Sequence, residues 1–173
     1  CETLANYFPE SIIRVIPNNL PPHRSAFVCP ADRLAMMQLA LAGIERVEIS
    51  NIELLRETPS YTVKTLEIFR NRVGLTEPIV FALGSGALEA MQTWYQLNQF
   101  AKLCHICVLD RNGSRKNVPS SLLKMRLVES VADLGYSPHG AIVHVETPAV
   151  PISSTLVREE LKITGRSSLI VPT

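Results

Sequence analysis

A chain of 173 residues with 46% apolar and 19% charged residues is composed for one globular domain of ordinary size with a real core. Its 17 Lys and Arg against 16 Asp and Glu leave a net charge of +1, which excludes a broad nucleic-acid surface or a polybasic membrane patch, since both need clustered excess charge. Mean hydropathy is only +0.15, and no apolar run approaches the ~20 residues of a membrane span.

The predicted elements alternate along the chain. Residues 12–17, "IIRVIP", are a β-branched run that predicts a strand. Residues 31–43 predict a helix, with Leu34, Met37 and Leu41 at helical spacing and Gly43 as its C-cap. Residues 46–55, "RVEISNIELL", alternate partly and predict a strand. Ser60 is expected to cap the next helix, whose stripe is Val63, Leu66, Phe69 and Val73, ending at Gly74. "PIVFALGSG" (78–86) predicts a strand buried on both faces. Residues 87–103 predict a helix with a possible bend at Thr93-Trp94-Tyr95, residues 105–110 a strand, and 121–135 a helix. Residues 141–146 predict a strand and 153–165 the final helix. Strands and helices taking turns predict an α/β fold, a mostly parallel sheet with helices on both faces.

Cys104 and Cys107 have CxxC spacing, which suits a zinc half-site or a redox pair. The stronger reading is a buried strand, "LCHICVL", where an odd offset sends the two thiols to opposite faces. No second CxxC accompanies it, so no metal residues are assigned. Scattered thiols suit a reducing cytoplasm.

Ligands of parallel sheets bind beyond the carboxyl ends of the strands. After the first strand, "PNNLPPHR" offers Asn18 and Asn19 for polar ligand edges and His23 and Arg24 for phosphates. A rigid surface turn is an equal reading. After the third, Gly84-Ser85-Gly86 allows close backbone approach, and Trp94-Tyr95 could stack on a flat ring or simply pack in the core. Arg111 ends the next strand, beside an Asn-Gly turn. After the last strand comes "VPISSTLVREEL" (150–161). It is either a capped helix start or an anion seat built from free N–H groups, hydroxyls and Arg158 in the first turn.

Taken jointly and in order, "IPNNLPPHR", "ELLRETPSYTVKTL", "TWY" and "ISSTLVREEL" resemble bacterial nicotinate-nucleotide adenylyltransferases of the nucleotidylyltransferase superfamily. The resemblance covers essentially the whole chain. It implies a Rossmann-like fold and adenylyl transfer from ATP to nicotinate mononucleotide, giving nicotinate adenine dinucleotide and pyrophosphate in NAD biosynthesis, in the cytoplasm. Mg²⁺ would arrive with ATP, and no tightly bound cofactor is implied. The partners implied are these two substrates, not nucleic acid or membrane, with monomer and homo-oligomer both open. By the same resemblance, Ile152, Ser153, Ser154 and Arg158 hold the ATP phosphates, while His23 and Arg24 lie near the reacting phosphates. Asn18, Asn19, Thr62, Trp94 and Tyr95 line the nicotinate nucleotide pocket. There Trp94 stacks on the pyridine, and backbone donors near Thr62 and Tyr95 meet its carboxylate. Gly84 and Ser85 approach the adenosine, and Arg111 matches an arginine of the family.

The resemblance also marks departures. The family begins with a strand and a GxFxPxHxGH loop that binds ATP phosphates; "CETLANYF" matches the helix after it. The family also continues beyond "LIVPT". Residues 1–173 are therefore expected to be a single nucleotidylyltransferase domain cut at both ends. Gly86 stands where the family has an Asp near a ribose. A degenerate, non-catalytic nucleotide-binding protein, or an adenylyltransferase for another acceptor, are the alternatives.

Overall fold

The computed structural model describes residues 1–19, 29–111, 117–148 and 154–165. Six strands form two sheets. In the smaller, β1 (Ile13–Val15) runs parallel to β2 (Val47–Ile49), with Ile13 opposite Val47 and Val15 opposite Ile49. Between them in sequence lies α2 (Pro30–Leu41), which starts with proline at N1 and with the Cys29 Sγ accepting from the Asp32 N–H. Its Leu34, Met37 and Leu41 face inward but stay half-buried.

The larger sheet has the order β3-β4-β6-β5, all parallel. Its strands are β3 (Val80–Gly84), β4 (His105–Arg111), β5 (Arg126–Val128) and β6 (Ala141–Thr147). Strand periodicity divides β4 and β6 between two cores. Ile106, Val108 and Ile142 enter one cluster with Val63 and Leu66 of α3 (Thr62–Val73), Leu88 of α4 (Ser85–Ala90) and Phe100 of α5 (Phe100–Leu103). Cys107, Val143 and Val145 enter another, against Leu4 and Tyr7 of α1 (Glu2–Tyr7) and Leu134. Each such fully buried aliphatic contributes roughly 1.5–3 kcal/mol. The fold is thus α/β with parallel strands and helices on both faces of the larger sheet. Among the described residues no helix is long and apolar enough to cross a membrane.

Several expectations change. Only 47–49 of the stretch 46–55 is strand; the rest turns, and Glu53 is buried there as the acceptor of the Thr65 hydroxyl. Ser60 does not cap α3, whose N-cap is Tyr61 without a side-chain bond. Val63, Leu66 and Phe69 are buried as expected, but Val73, the last helical residue before the positive-φ Gly74 (φ 86°), is exposed. β3 is an edge of the four-stranded sheet, so Val80, Phe81 and Ala82 are half-buried instead of buried on both faces. Residues 87–103 do bend at the tryptophan: α4 passes into a 3₁₀ turn (Met91–Thr93), and Gln96 adopts a left-handed conformation (φ 51°) before a second 3₁₀ turn and α5. Residues 121–135 are not one helix; they hold the end of a 3₁₀ turn (Ser120–Leu122), β5, and most of another (Val131–Tyr136).

Candidate functional site

The carboxyl ends of the parallel strands bring most of the described candidates to one end of the fold. Gly84 caps α4 and Ser85 opens it, at the end of β3. Arg111, described in its backbone only, ends β4. α6 (Ser154–Thr164) follows β6, with Ser154 as its first residue, likewise described in backbone only, and Arg158 as its fifth. Arg158 is exposed and starts the second turn, one position later than a first-turn placement. His23, Arg24, Ile152 and Ser153 lie outside the described residues.

Three of the sequence motifs are physically tied together. The Asn19 N–H donates to Ser60 Oγ at 3.1 Å and its side-chain amide to the Arg56 carbonyl at 2.8 Å. That joins the loop after β1 to the segment before α3. The Tyr61 ring then lies against the Tyr95 ring, with centroids 4.6 Å apart and planes 33° apart. The start of α3 is thereby held beside the Trp94-Tyr95 turn. Asn18 is exposed next to this junction.

Two unspent backbone donors belong to the segments that this contact joins. Among the described residues, neither the Thr62 N–H, in the uncapped first turn of α3, nor the Tyr95 N–H makes a hydrogen bond. The first turn of a helix concentrates partial positive charge, and an unpaired N–H there is a ready anion donor. Trp94 N–H, by contrast, is used on the Met91 carbonyl. The indole itself is half-buried, edge-on to Phe81 at 6.0 Å and tilted to Phe100 at 6.2 Å. It therefore belongs partly to the core, which fixes its ring, while Tyr95 is 46% exposed.

Sequence reasoning passed over the residues that hold this region. Arg33 of α2 donates to the Asn19 carbonyl at 3.2 Å, and Arg56 Nη2 to Thr65 Oγ1 at 3.0 Å, with the buried Glu53 carboxylate at the end of that chain. Arg33 Nε and Arg56 Nη1 are buried without a partner among the described residues. Arg56 stands just before "PSYT", and a cation adjoining a motif is the one signal that could have drawn attention to it. Asp110 and His144, paired across β4 and β6 at 2.7 Å, were also unassigned.

Cys104 and Cys107 sit in different clusters, on opposite sides of the larger sheet. Burial pushes both thiols up to about 12, which removes the thiolate at neutral pH. Among the described residues no three His, Cys, Asp or Glu converge to hold a metal ion.

Comparison with known proteins gives this arrangement its relatives. The family model described as cytidylyltransferase-like matches residues 1–160. A probable nicotinate-nucleotide adenylyltransferase of Yersinia enterocolitica is 36% identical over 162 residues, spanning 91% of this chain and 74% of the relative. One from Pseudomonas paraeruginosa is 36% identical over 167 residues, 95% of this chain and 78% of the relative. The solved structure of Plasmodium falciparum nicotinic acid mononucleotide adenylyltransferase with NaAD superposes with a TM-score of 0.62 at 14% identity, covering 92% of this chain and 74% of that one. At that identity the superposition speaks to the fold.

Proposed function

The chain belongs to the cytidylyltransferase-like family, in its nicotinate-nucleotide adenylyltransferase branch, and on that premise we propose that it transfers the adenylyl group of ATP to nicotinate mononucleotide. The products are nicotinate adenine dinucleotide and pyrophosphate. A phosphate oxygen of the mononucleotide attacks the α-phosphorus of ATP, the bond to the β-phosphate bridging oxygen breaks, and pyrophosphate leaves. No group on the enzyme needs to become covalently modified, so catalysis consists of positioning and charge stabilisation.

The observation that carries this reading is the Tyr61–Tyr95 contact, which holds the two unpaired N–H groups of Thr62 and Tyr95 in one region. Two oriented backbone donors suit a carboxylate, and a core-anchored indole next to them suits an aromatic ring. Nicotinate has both. An amide in its place offers one acceptor oxygen and brings an NH₂ donor against an N–H, which disfavours nicotinamide mononucleotide. Asn18 and the Oδ1 of Asn19 would meet the sugar or phosphate of this nucleotide. In our reading Ser153, Ser154, Ile152 and Arg158 take the triphosphate, His23 and Arg24 the reacting phosphates, Arg111 a further phosphate, and Gly84 with Ser85 the adenosine. A divalent metal, taken as Mg²⁺, would ride on the triphosphate and neutralise its charge.

The test is chromatographic. The full-length protein, incubated with ATP, Mg²⁺ and either nicotinate or nicotinamide mononucleotide, should form the acid dinucleotide and prefer the acid in direct competition. Formation of the amide dinucleotide at an equal or higher rate would contradict the carboxylate assignment.

A further inference from the structure

Asp110 and His144 lie on neighbouring strands and on one face of the larger sheet, two residues beyond Val108 and Ile142 of the core. Their side chains are only 6% and 7% exposed, and His144 Nδ1 is 2.7 Å from Asp110 Oδ2. Thr147 Oγ1 donates to the Asp110 carbonyl at 3.0 Å, which adds a second tie between the two strand ends. The pair thus closes the core at the end where β4 runs into Arg111 and β6 leads toward α6.

As a stabilising device the pair is poorly made. Asp110 Oδ1 is buried with no partner among the described residues, and a buried carboxylate that is half satisfied costs more than an apolar pair of the same volume. A carboxylate on one ring nitrogen does have a use: it fixes the tautomer and the ring plane, and so presents the other nitrogen. With Nδ1–H donated to Asp110, Nε2 is an acceptor. It makes no hydrogen bond among the described residues, and it is not one of the buried unpartnered atoms.

We propose that His144 Nε2 accepts a hydrogen bond from a neutral donor of the adenosine of ATP, a ribose hydroxyl or the exocyclic amine, and that Asp110 is the positioning residue for His144. This rests on the adenylyltransferase reading for the identity of the nucleotide. The placement favours the adenosine because the pair spans β4, the neighbour of β3, and β6, the strand that leads to α6, where that reading puts the triphosphate.

Two substitutions separate contact from scaffolding. His144→Asn keeps an amide within reach of Asp110 but removes the distal acceptor. His144→Gln reaches the distal position but gives up the tie. Calorimetric titration with ATP should give a Kd about tenfold weaker in His144→Asn, with an unchanged melting temperature, and partial recovery in His144→Gln. The asparagine penalty should vanish with one of 2′-deoxy-ATP, 3′-deoxy-ATP or purine riboside triphosphate, which identifies the donor. In the wild type, ATP should shift the His144 ring ¹⁵N resonances, a measurement that needs no variant to fold. An unmoved His144 resonance, a His144→Asn protein that binds ATP like wild type, or an equal penalty with every analogue would overturn the proposal. Wild-type protein that binds ATP through His144 yet forms no dinucleotide would sink the adenylyl-transfer reading alone.

Discussion

Arg70 makes five hydrogen bonds to four main-chain carbonyls, those of Gly74, Glu77, Leu103 and Pro138, while only 4% exposed. It sits in the last turn of α3, where a cation is also favoured by the helix dipole. Its replacement by Met strands buried acceptors at 1–3 kcal/mol each. Arg70→Met should therefore lower stability by about 3–5 kcal/mol in urea denaturation, and Arg70→Lys should recover little, since a point charge cannot reproduce the planar fork. Gly86 is the opposite case. A Cβ there meets nothing within 4 Å, so Gly86→Asp should fold without penalty and introduce the carboxylate that the resemblance implies near a ribose. A charge-assisted bond of about 1.5–3 kcal/mol predicts a nucleotide KM lower by about tenfold or more, read in steady-state kinetics. Arg158 is exposed, so Arg158→Ala should leave the melting temperature near wild type while raising the KM for ATP or lowering kcat. Unchanged kinetics would remove Arg158 from the site.

At the scale of elements, long stripes and turn glycines were readable and short non-local pairings were not. Val63, Leu66 and Phe69 mark α3, and Gly74 its end, because both signals are local. The stretch 121–135 misled because Leu122, Met125 and Val128 recur every three residues, a spacing shared by helices and by 3₁₀ turns. What makes 126–128 a strand is its ladder to Ala141–Val143, which leaves no local trace. In the same way the resemblance implies that donors near Thr62 and Tyr95 meet one carboxylate, but the contact of Tyr61 with Tyr95 exists only in three dimensions. The thiols belong to this scale too. Cys1 and Cys29 are exposed, and Cys104 and Cys107 are buried on opposite faces of a sheet. A thiol-reactive dye should label two of the four cysteines in the native protein and all four in urea. Labelling of all four without denaturant would contradict the burial.

For the whole molecule, charge is nearly balanced, and one contribution to the acid response comes from a buried group at the amino end of the larger sheet. His105 has no exposed surface; Nε2 faces the Ser137 carbonyl at 2.7 Å and Nδ1 accepts from the Ala141 N–H at 3.2 Å. Both nitrogens are committed to the neutral ring. Burial lowers its pKa from the ordinary 6.5, partly opposed by the Ser137 bond. The unfolded chain therefore takes up the proton first. The stability this group confers is complete above about pH 6.5 and is lost as pH falls from there through the folded value, at up to ~1.4 kcal/mol per unit. The urea midpoint should drop between pH 7.5 and 5, and His105→Gln should flatten that slope. A slope unchanged in the variant would acquit His105.

We propose that this fold joins a mononucleotide acid to an adenylyl group. The most direct measurement of this is pyrophosphate release by the full-length protein with ATP, Mg²⁺ and nicotinate mononucleotide. Pyrophosphate should appear in step with the dinucleotide and only when the mononucleotide is present. No release above background, with the protein folded and binding ATP, would contradict it.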